Sequence, residues 1–138
     1  MGRILGVDYG DVRVGLALSD KTKLIASPLK TIQNKNSGLL ISELKEIISE
    51  NDVESIVVGI PIGMKGQNTN QTVKVKVFAQ SLSILCLPIF MEDERLSSIA
   101  AKKSLVMENI KTGHNKEIID QRAAAIVLQQ FLDRIRSK

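Results

Sequence analysis

The sequence has one cysteine, one histidine, no tryptophan and only 3% aromatic residues. A single thiol excludes an intrachain disulfide and any cysteine-based metal cage. That thiol, Cys86, lies inside the apolar segment LSILCLPIF. It reads as a buried structural residue, because a nucleophilic cysteine needs a base beside it. The histidine, His114, belongs to a different, polar segment, IKTGHNK, which reads as a surface loop. Scarce aromatics disfavour base stacking as a way of holding nucleic acid. No apolar run reaches the length that a membrane span needs, about 20 residues. The opening MGRILGVDYG has a short apolar stretch soon followed by an aspartate, unlike a secretory signal. Gly2 is present, but the sixth position lacks the Ser or Thr of a myristoylation pattern. Acidic residues are missing from Ser55 to Met91, where Lys65, Lys74 and Lys76 stand. These absences suit a reducing cytoplasm and no membrane partner.

What is present is enough for one domain, 1–138, with a full hydrophobic core. The residues are 43% hydrophobic and 25% charged, as in globular proteins. The net charge is +4 and the pI about 9.3. A second group of cations, Lys111, Lys116, Arg122, Arg134, Arg136 and Lys138, lies near the C-terminus. Such an excess suits an anionic partner such as nucleic acid, although a solvated basic surface explains the charge alone slightly better.

The apolar pattern predicts an α/β chain. RILGVDY is a short apolar strand, and DVRVGLALS alternates with period two, Val12, Val14, Leu16 and Leu18 on the inward face. The link near Gly10 and Asp11 is too short for a helix, so these strands form an antiparallel hairpin. LIASPLKTI is a third strand, and Pro28 puts it near an edge. Asn36 or Ser37 can cap a helix whose stripe is Leu40, Leu44, Ile47 and Ile48. ESIVVGIP reads as a strand buried on both faces. TVKVKVFAQSLSIL fits either a strand or a helix, and a parallel strand pair requires the helix as its crossover. CLPIFMED is the fifth strand, RLSSIAAKKSLVMEN a helix, and EIIDQRAAAIVLQQFLDRIRSK a terminal helix with Ile119, Ala123, Ile126, Val127 and Phe131 inward. The order β-β-β-α-β-α-β-α-α predicts a five-stranded mixed sheet with helices on both faces.

One residue does not suit its place. Asp8 sits in an apolar strand, where a carboxylate costs free energy unless paired, protonated or bound to a cation. Sites in open α/β sheets gather at the carboxyl ends of parallel strands. Glu92, Asp93 and Glu94 follow the strand LPIFM, and Asp120 lies early in the last helix. These acids could meet Asp8 at one edge of the sheet. Clustered carboxylates repel unless they share a cation, and oxygen ligands suit Mg²⁺ or Mn²⁺. Two such ions about 3.5–4 Å apart can clamp a phosphodiester and activate water. Plainer accounts exist for some members. Asp93, Glu94 and Asp120 sit where a helix dipole favours acids, and Asp11 is a turn residue.

Four segments together resemble a known family. DYGDVRVGLA is similar to the D-x-G-x-x-R-x-G-x-A signature of the YqgF family, and VVGIPIGMKG with VFAQSL is similar to its central glycine–proline segment. EDERLSS resembles its D-E-R-L-[ST]-[ST] motif, and IIDQRAAAIVLQ its terminal helix. The matches run in order over nearly the whole chain. The resemblance implies a ribonuclease H-like fold and a bacterial cytoplasmic nuclease using Mg²⁺ or Mn²⁺, as two ions. The implied substrate is structured RNA, in maturation of the 5′ end of pre-16S rRNA, with branched DNA in Holliday junction resolution as the alternative. It implies Asp8, Glu94 and Asp120 as metal ligands, with Asp93 competing for the middle place. It gives Arg13 and Arg95 as contacts to phosphate or braces for the carboxylates. Lys65, Lys111 and Lys116 are candidate contacts to nucleic acid. Gly10 and Gly15 allow close backbone approach or a tight turn. A junction resolvase would act as a symmetric homodimer, and an RNA nuclease could be a monomer. Two other classes remain open: a nucleotide-binding ATPase or sugar kinase, which needs two domains of this kind, and a non-catalytic nucleic-acid-binding module.

Overall fold

The computed structural model describes residues 2–62, 65–94 and 116–137. Strands β1 (Arg3–Tyr9), β2 (Arg13–Ser19), β3 (Ala26–Gln33), β4 (Val53–Ile60) and β5 (Ile89–Asp93) form one sheet in the order β3-β2-β1-β4-β5. The β1–β2 and β2–β3 pairs are antiparallel, and β1–β4 and β4–β5 are parallel. Helices α1 (Ser37–Asn51) and α2 (Asn70–Ser81) make the crossovers, and α3 (Lys116–Arg136) follows later in the chain. The expected helix over RLSSIAAKKSLVMEN lies outside the described residues.

The first face of the sheet is packed with branched aliphatic side chains. Leu5, Val7, Val14, Leu16, Ile56 and Val58 meet Leu40, Leu44 and Ile47 of α1 and Val75 and Phe78 of α2. The other face meets α3 through Ile4, Ala17, Val57, Ala124, Val127, Leu128, Phe131 and Leu132. Strand alternation makes this division, since successive residues point to opposite faces.

Asn36 caps α1 by accepting from the Leu39 N–H. Thr69 caps α2 in a reciprocal box with Thr72, whose hydroxyl also donates to the Pro61 carbonyl. That bond ties the start of α2 to the chain just after β4. Pro28 sits in edge strand β3, where the register slips between Leu16 and Ala17 of its partner. An edge is where a missing N–H is tolerated.

Several expectations need correction. Val12 is in the hairpin turn and 62% exposed, because β2 starts only at Arg13. Leu24 and Ile25 precede β3 and are exposed. There the Asp20 carboxylate accepts the N–H groups of Leu24 and Ile25 and organises the loop. Cys86 is exposed, not buried. It takes a left-handed conformation (φ 58°) after the single 3₁₀ turn Leu82–Leu85, and the leucines around it occupy the core. In α3 the deepest positions are Ala124, Val127, Leu128 and Leu132, while Ile119 and Ile126 are half-buried. Ala123, Val127 and Phe131 are buried as expected, and small alanines at 123 and 124 let the helix approach the sheet closely, so the stripe turns toward Ala124, Leu128 and Leu132.

Candidate active site

One row of residues crosses the sheet beneath α3. Gly15 pairs with Thr31 on one side and Asp8 on the other. The register Val7↔Val58, continued by one residue, sets Asp8 beside the strand position of Gly59, which pairs with Glu92. Thr31, Gly15, Asp8, Gly59 and Glu92 therefore lie side by side. Their alternation with Val7, Val14, Ile32 and Val58 of the opposite core puts them all on the α3 face. Asp8 is half-buried, with a glycine on each side.

Both glycines leave room that other groups use. A Cβ at Gly15 would stand 2.0 Å from the Asp120 carbonyl oxygen, so the first turns of α3 rest directly on the β2 backbone. A Cβ at Gly59 would lie 3.5 Å from the Glu94 carboxyl carbon and 3.1 Å from a Val127 methyl. The Glu94 carboxylate thus sits over β4, and its N–H donates to the Ile60 carbonyl. Asp120 lies over β2, and Asp8 between them on β1. The three acidic positions named from the sequence are gathered on one face, at the carboxyl ends of β1, β4 and β5.

Arg13 begins β2 on the same face. Its Nε donates to Asp120 Oδ2 at 2.7 Å, with both side chains about a quarter exposed. The turn before it is tightly held. A Cβ at Gly10 would meet the Arg13 carbonyl at 2.6 Å. Asn34 donates from its side chain to the Gly10 carbonyl and from its backbone to the Val12 carbonyl. Lys74 of α2 pairs with Asp11 at 3.2 Å, which accounts for Asp11 without chemistry.

The acidic run divides by strand geometry. Glu92 and Asp93 lie within β5, as the strand CLPIFMED implies, and only Glu94 follows it. Asp93 pairs with Ile60, a residue of the opposite core, so its side chain leaves the strand on the face away from Asp8. Glu92 is on the α3 face but fully buried, accepting from Arg134 and, at 3.0 Å, from Gln130. Sequence reasoning had Glu92 only as one of three neighbouring acids that could meet Asp8, not as a partner of the last helix, and Gly59 was not singled out. The signal for Glu92 was its two-residue spacing from Phe90 in a strand, which places both under α3, where Phe90 meets Phe131.

Lys65 and Lys116 are exposed, Lys65 in the loop after β4 and Lys116 at the first position of α3. Arg95, Lys111 and His114 lie outside the described residues. Among the described residues, no three Asp, Glu, His or Cys side chains are close enough together to cage a metal ion. The donor chemistry nevertheless suits a hard divalent cation: all-oxygen side chains on one face of the sheet. Arg13 occupies only Oδ2 of Asp120, and the second carboxylate oxygen is the one that could join such a set.

A five-stranded sheet, antiparallel from β3 through β2 to β1 and parallel from β1 through β4 to β5, with carboxylates across the α3 face, defines a ribonuclease H-like fold. Residues 2–134 match the family model RuvX, described as Holliday junction resolvase. The chain belongs to this family, which is the YqgF family of the sequence resemblance. Curated relatives share its length. A protein of Roseiflexus sp. (strain RS-1) is 38% identical over 96% of this chain and 94% of its own, and one of Maridesulfovibrio salexigens is 40% identical over 96% and 98%. Both carry the name "Putative pre-16S rRNA nuclease". Among solved structures, T. thermophilus RuvC in complex with a Holliday junction substrate is similar with a TM-score of 0.61 and 14% identity, covering 99% of this chain and 98% of that one. The Fowlpox virus resolvase with Holliday junction DNA gives 0.55 and 10%, covering 96% and 98%. At those identities the likeness concerns the fold.

Proposed function

We propose that this chain is a divalent-metal-dependent endonuclease that hydrolyses phosphodiester bonds in structured RNA, acting in 5′-end processing of pre-16S rRNA in the bacterial cytoplasm. The observation that carries this reading is the row in which Asp8 lies between Gly15 and Gly59, with Asp120 over one glycine and Glu94 over the other. Membership of the family and the names of the relatives support it. Asp8, Glu94 and Asp120 are the metal ligands in this reading, and Asp93, based on the other face, is the weaker candidate. A Mg²⁺ or Mn²⁺ ion bound there supplies a Lewis acid for the phosphoryl oxygens and acidifies water.

The chain's own residues have separate tasks. Arg13 holds Asp120 and is the cation nearest the carboxylates for which a pairing is established. Its guanidinium can pass from carboxylate to phosphate, since both accept two parallel N–H bonds. Lys65 and Lys116, with Arg95 and Lys111, contribute to the attraction for a phosphate backbone. The sheet holds the acids in place before substrate arrives, so little reorganisation is needed during the reaction.

The test is cleavage of a precursor rRNA with Mg²⁺ or Mn²⁺ by the wild type and by Asp8→Asn. The variant should lose about 10²-fold or more, the scale of removing one electrostatic stabiliser from a site. Equal cleavage would remove Asp8 from the reaction. The description of the family favours a second reading, resolution of four-way DNA by a homodimer. Paired symmetric cuts in a junction, with no cleavage of the RNA, would replace the first reading by the second.

A further inference from the structure

Glu92 is the one fully buried acid among the described residues, and the proposed chemistry does not use it. It accepts from Arg134 and from Gln130, both on the second half of α3. Arg134 is itself placed by the Phe131 ring, 5.3 Å from its guanidinium carbon. Phe131 in turn meets Phe90, two residues before Glu92 in β5, at 5.4 Å. One strand and one helix are thus joined by a polar lock seated on an aromatic contact.

The two ends of this lock lead to the site. Glu94 is two residues beyond Glu92, directly after β5. Asp120 is on α3, fourteen residues before Arg134, or about 21 Å of helix at 1.5 Å per residue. On the β2–β3 side α3 is tied by Arg13 to Asp120, by the Thr31 hydroxyl to the Glu117 carbonyl and by Gln129 to the Ala26 N–H. Toward β1 and β4 its contacts are small or apolar, Ala124, Val127, Leu128 and Leu132 against Gly6 and Val57, so on the β5 side the bonds to Glu92 set its place. Glu92 is fully buried while Arg134 is 42% exposed, so the buried carboxylate depends on these two bonds for its partners, and fixing register is the best-attested use of such a buried charge.

We propose that Glu92 is a positioning residue: bonded to Arg134 and Gln130, it fixes the rotation and slide of α3 against β5, and so sets where Asp120 stands relative to Glu94. The proposal rests on the nuclease reading for its catalytic consequence, but the placement of α3 can be measured without it.

The experiment compares Glu92→Gln with the double variant Glu92→Met/Arg134→Leu. Glutamine keeps an oxygen for Arg134 and can exchange an amide bond with Gln130, so the lock survives. The double variant replaces the buried carboxylate and its part-exposed partner by apolar groups, so that no charge is left buried and unpaired. Hydrogen exchange of the amides of residues 117–124, thermal unfolding and Mn²⁺ binding by electron paramagnetic resonance are read first. The double variant should keep its melting temperature, exchange faster in the first turns of α3 and bind Mn²⁺ about tenfold more weakly, the scale of lost support around a ligand. In the cleavage assay its kcat should fall about 10²-fold at nearly constant KM, as for a displaced group. Glu92→Gln should restore both to within about threefold, a difference under 1 kcal/mol. Wild-type exchange and Mn²⁺ affinity in a folded double variant would overturn the proposal. So would losses that follow melting temperature across the variants, since the pair would then act on stability alone. Faster exchange in the double variant together with no cleavage of RNA or junction DNA by the wild type would leave the lock standing and sink the nuclease reading.

Discussion

The two faces of the sheet are built from different materials. The face under α1 and α2 carries leucine, isoleucine and valine at successive positions, all closely buried. The face under α3 carries Gly6, Gly15 and Gly59, with Asp8, Thr31 and Glu92 in the same row as two of these glycines. The first face fills its volume with side chains. The second gives up side-chain volume so that the α3 backbone and three acids can come close. Stability and chemistry are thus divided between the faces of a single sheet, and each strand serves both by its alternation.

Two alanine substitutions break this comparison in opposite directions. Gly15→Ala adds one methyl where the nearest atom is the Asp120 carbonyl oxygen, 2.0 Å away. Backbone cannot yield as a side chain can, so α3 must lift, and the cost should be about 3 kcal/mol or more, the upper range of overpacking. Urea unfolding measures it, and cleavage should be lost with it. Leu44→Ala removes a fully buried side chain from the other face. It should cost about 2–5 kcal/mol, as large-to-small core changes do, yet leave kcat of the folded fraction unchanged. A Leu44→Ala protein of normal stability, or one with a damaged kcat, would dissolve the division between the faces.

Gly59→Ala is a finer probe. Its methyl would meet Val127 at 3.1 Å and the Glu94 carboxyl carbon at 3.5 Å. Val127 has to give by a few tenths of an ångström, so the stability loss should be modest, about 1 kcal/mol. Activity should fall by more than that loss accounts for, because Glu94 is displaced too. Equal activity at reduced stability would show that Gly59 serves packing alone.

The first face was readable from the sequence, and much of the second was not. Alternation and helical stripes are visible in one dimension, so the hairpin, the buried ESIVVGIP strand, the helix over TVKVKVFAQ and the cap at Asn36 could be placed. Pro28 marked an edge because it lacks an N–H. The α3 face depends on register between strands far apart in sequence. Nothing local says that Gly15 and Gly59 flank Asp8, or that Glu92, Asp93 and Glu94 divide among a helix lock, the opposite face and the site. Asp8 could be noticed because a carboxylate is out of place in an apolar strand. Glu92 could not, because two other acids follow it and its partners lie 38 and 42 residues away. Cys86 misled for a related reason: apolar neighbours predict burial, but a left-handed turn residue points where the turn requires.

The smallest expected effect lies on the α3 side of the sheet, at the end of β2 away from the site. The Ile25 N–H, then the Thr22 hydroxyl, with a further bond from the Leu24 N–H, hold the Asp20 carboxyl well below the usual carboxylate range. Gln129 of α3 reaches the same loop, at the Leu24 carbonyl and the Ala26 N–H. Because the folded form has the lowered value, this loop's contribution is present above the unfolded carboxylate range, about pH 3.9, and is lost as pH falls toward the folded value. Asp20→Asn should therefore lower the urea midpoint slightly at neutral pH, and the gap from wild type should close in acid. The carboxylate is exposed, so solvent screens it and keeps the effect small. Cleavage should be unchanged, since the row through Asp8 crosses β2 at Gly15, four residues before Ser19. A gap that stays constant with pH would remove the charge from the loop's stability. A lost activity would show that the α3 face acts as one unit along its whole length rather than as a site at one end.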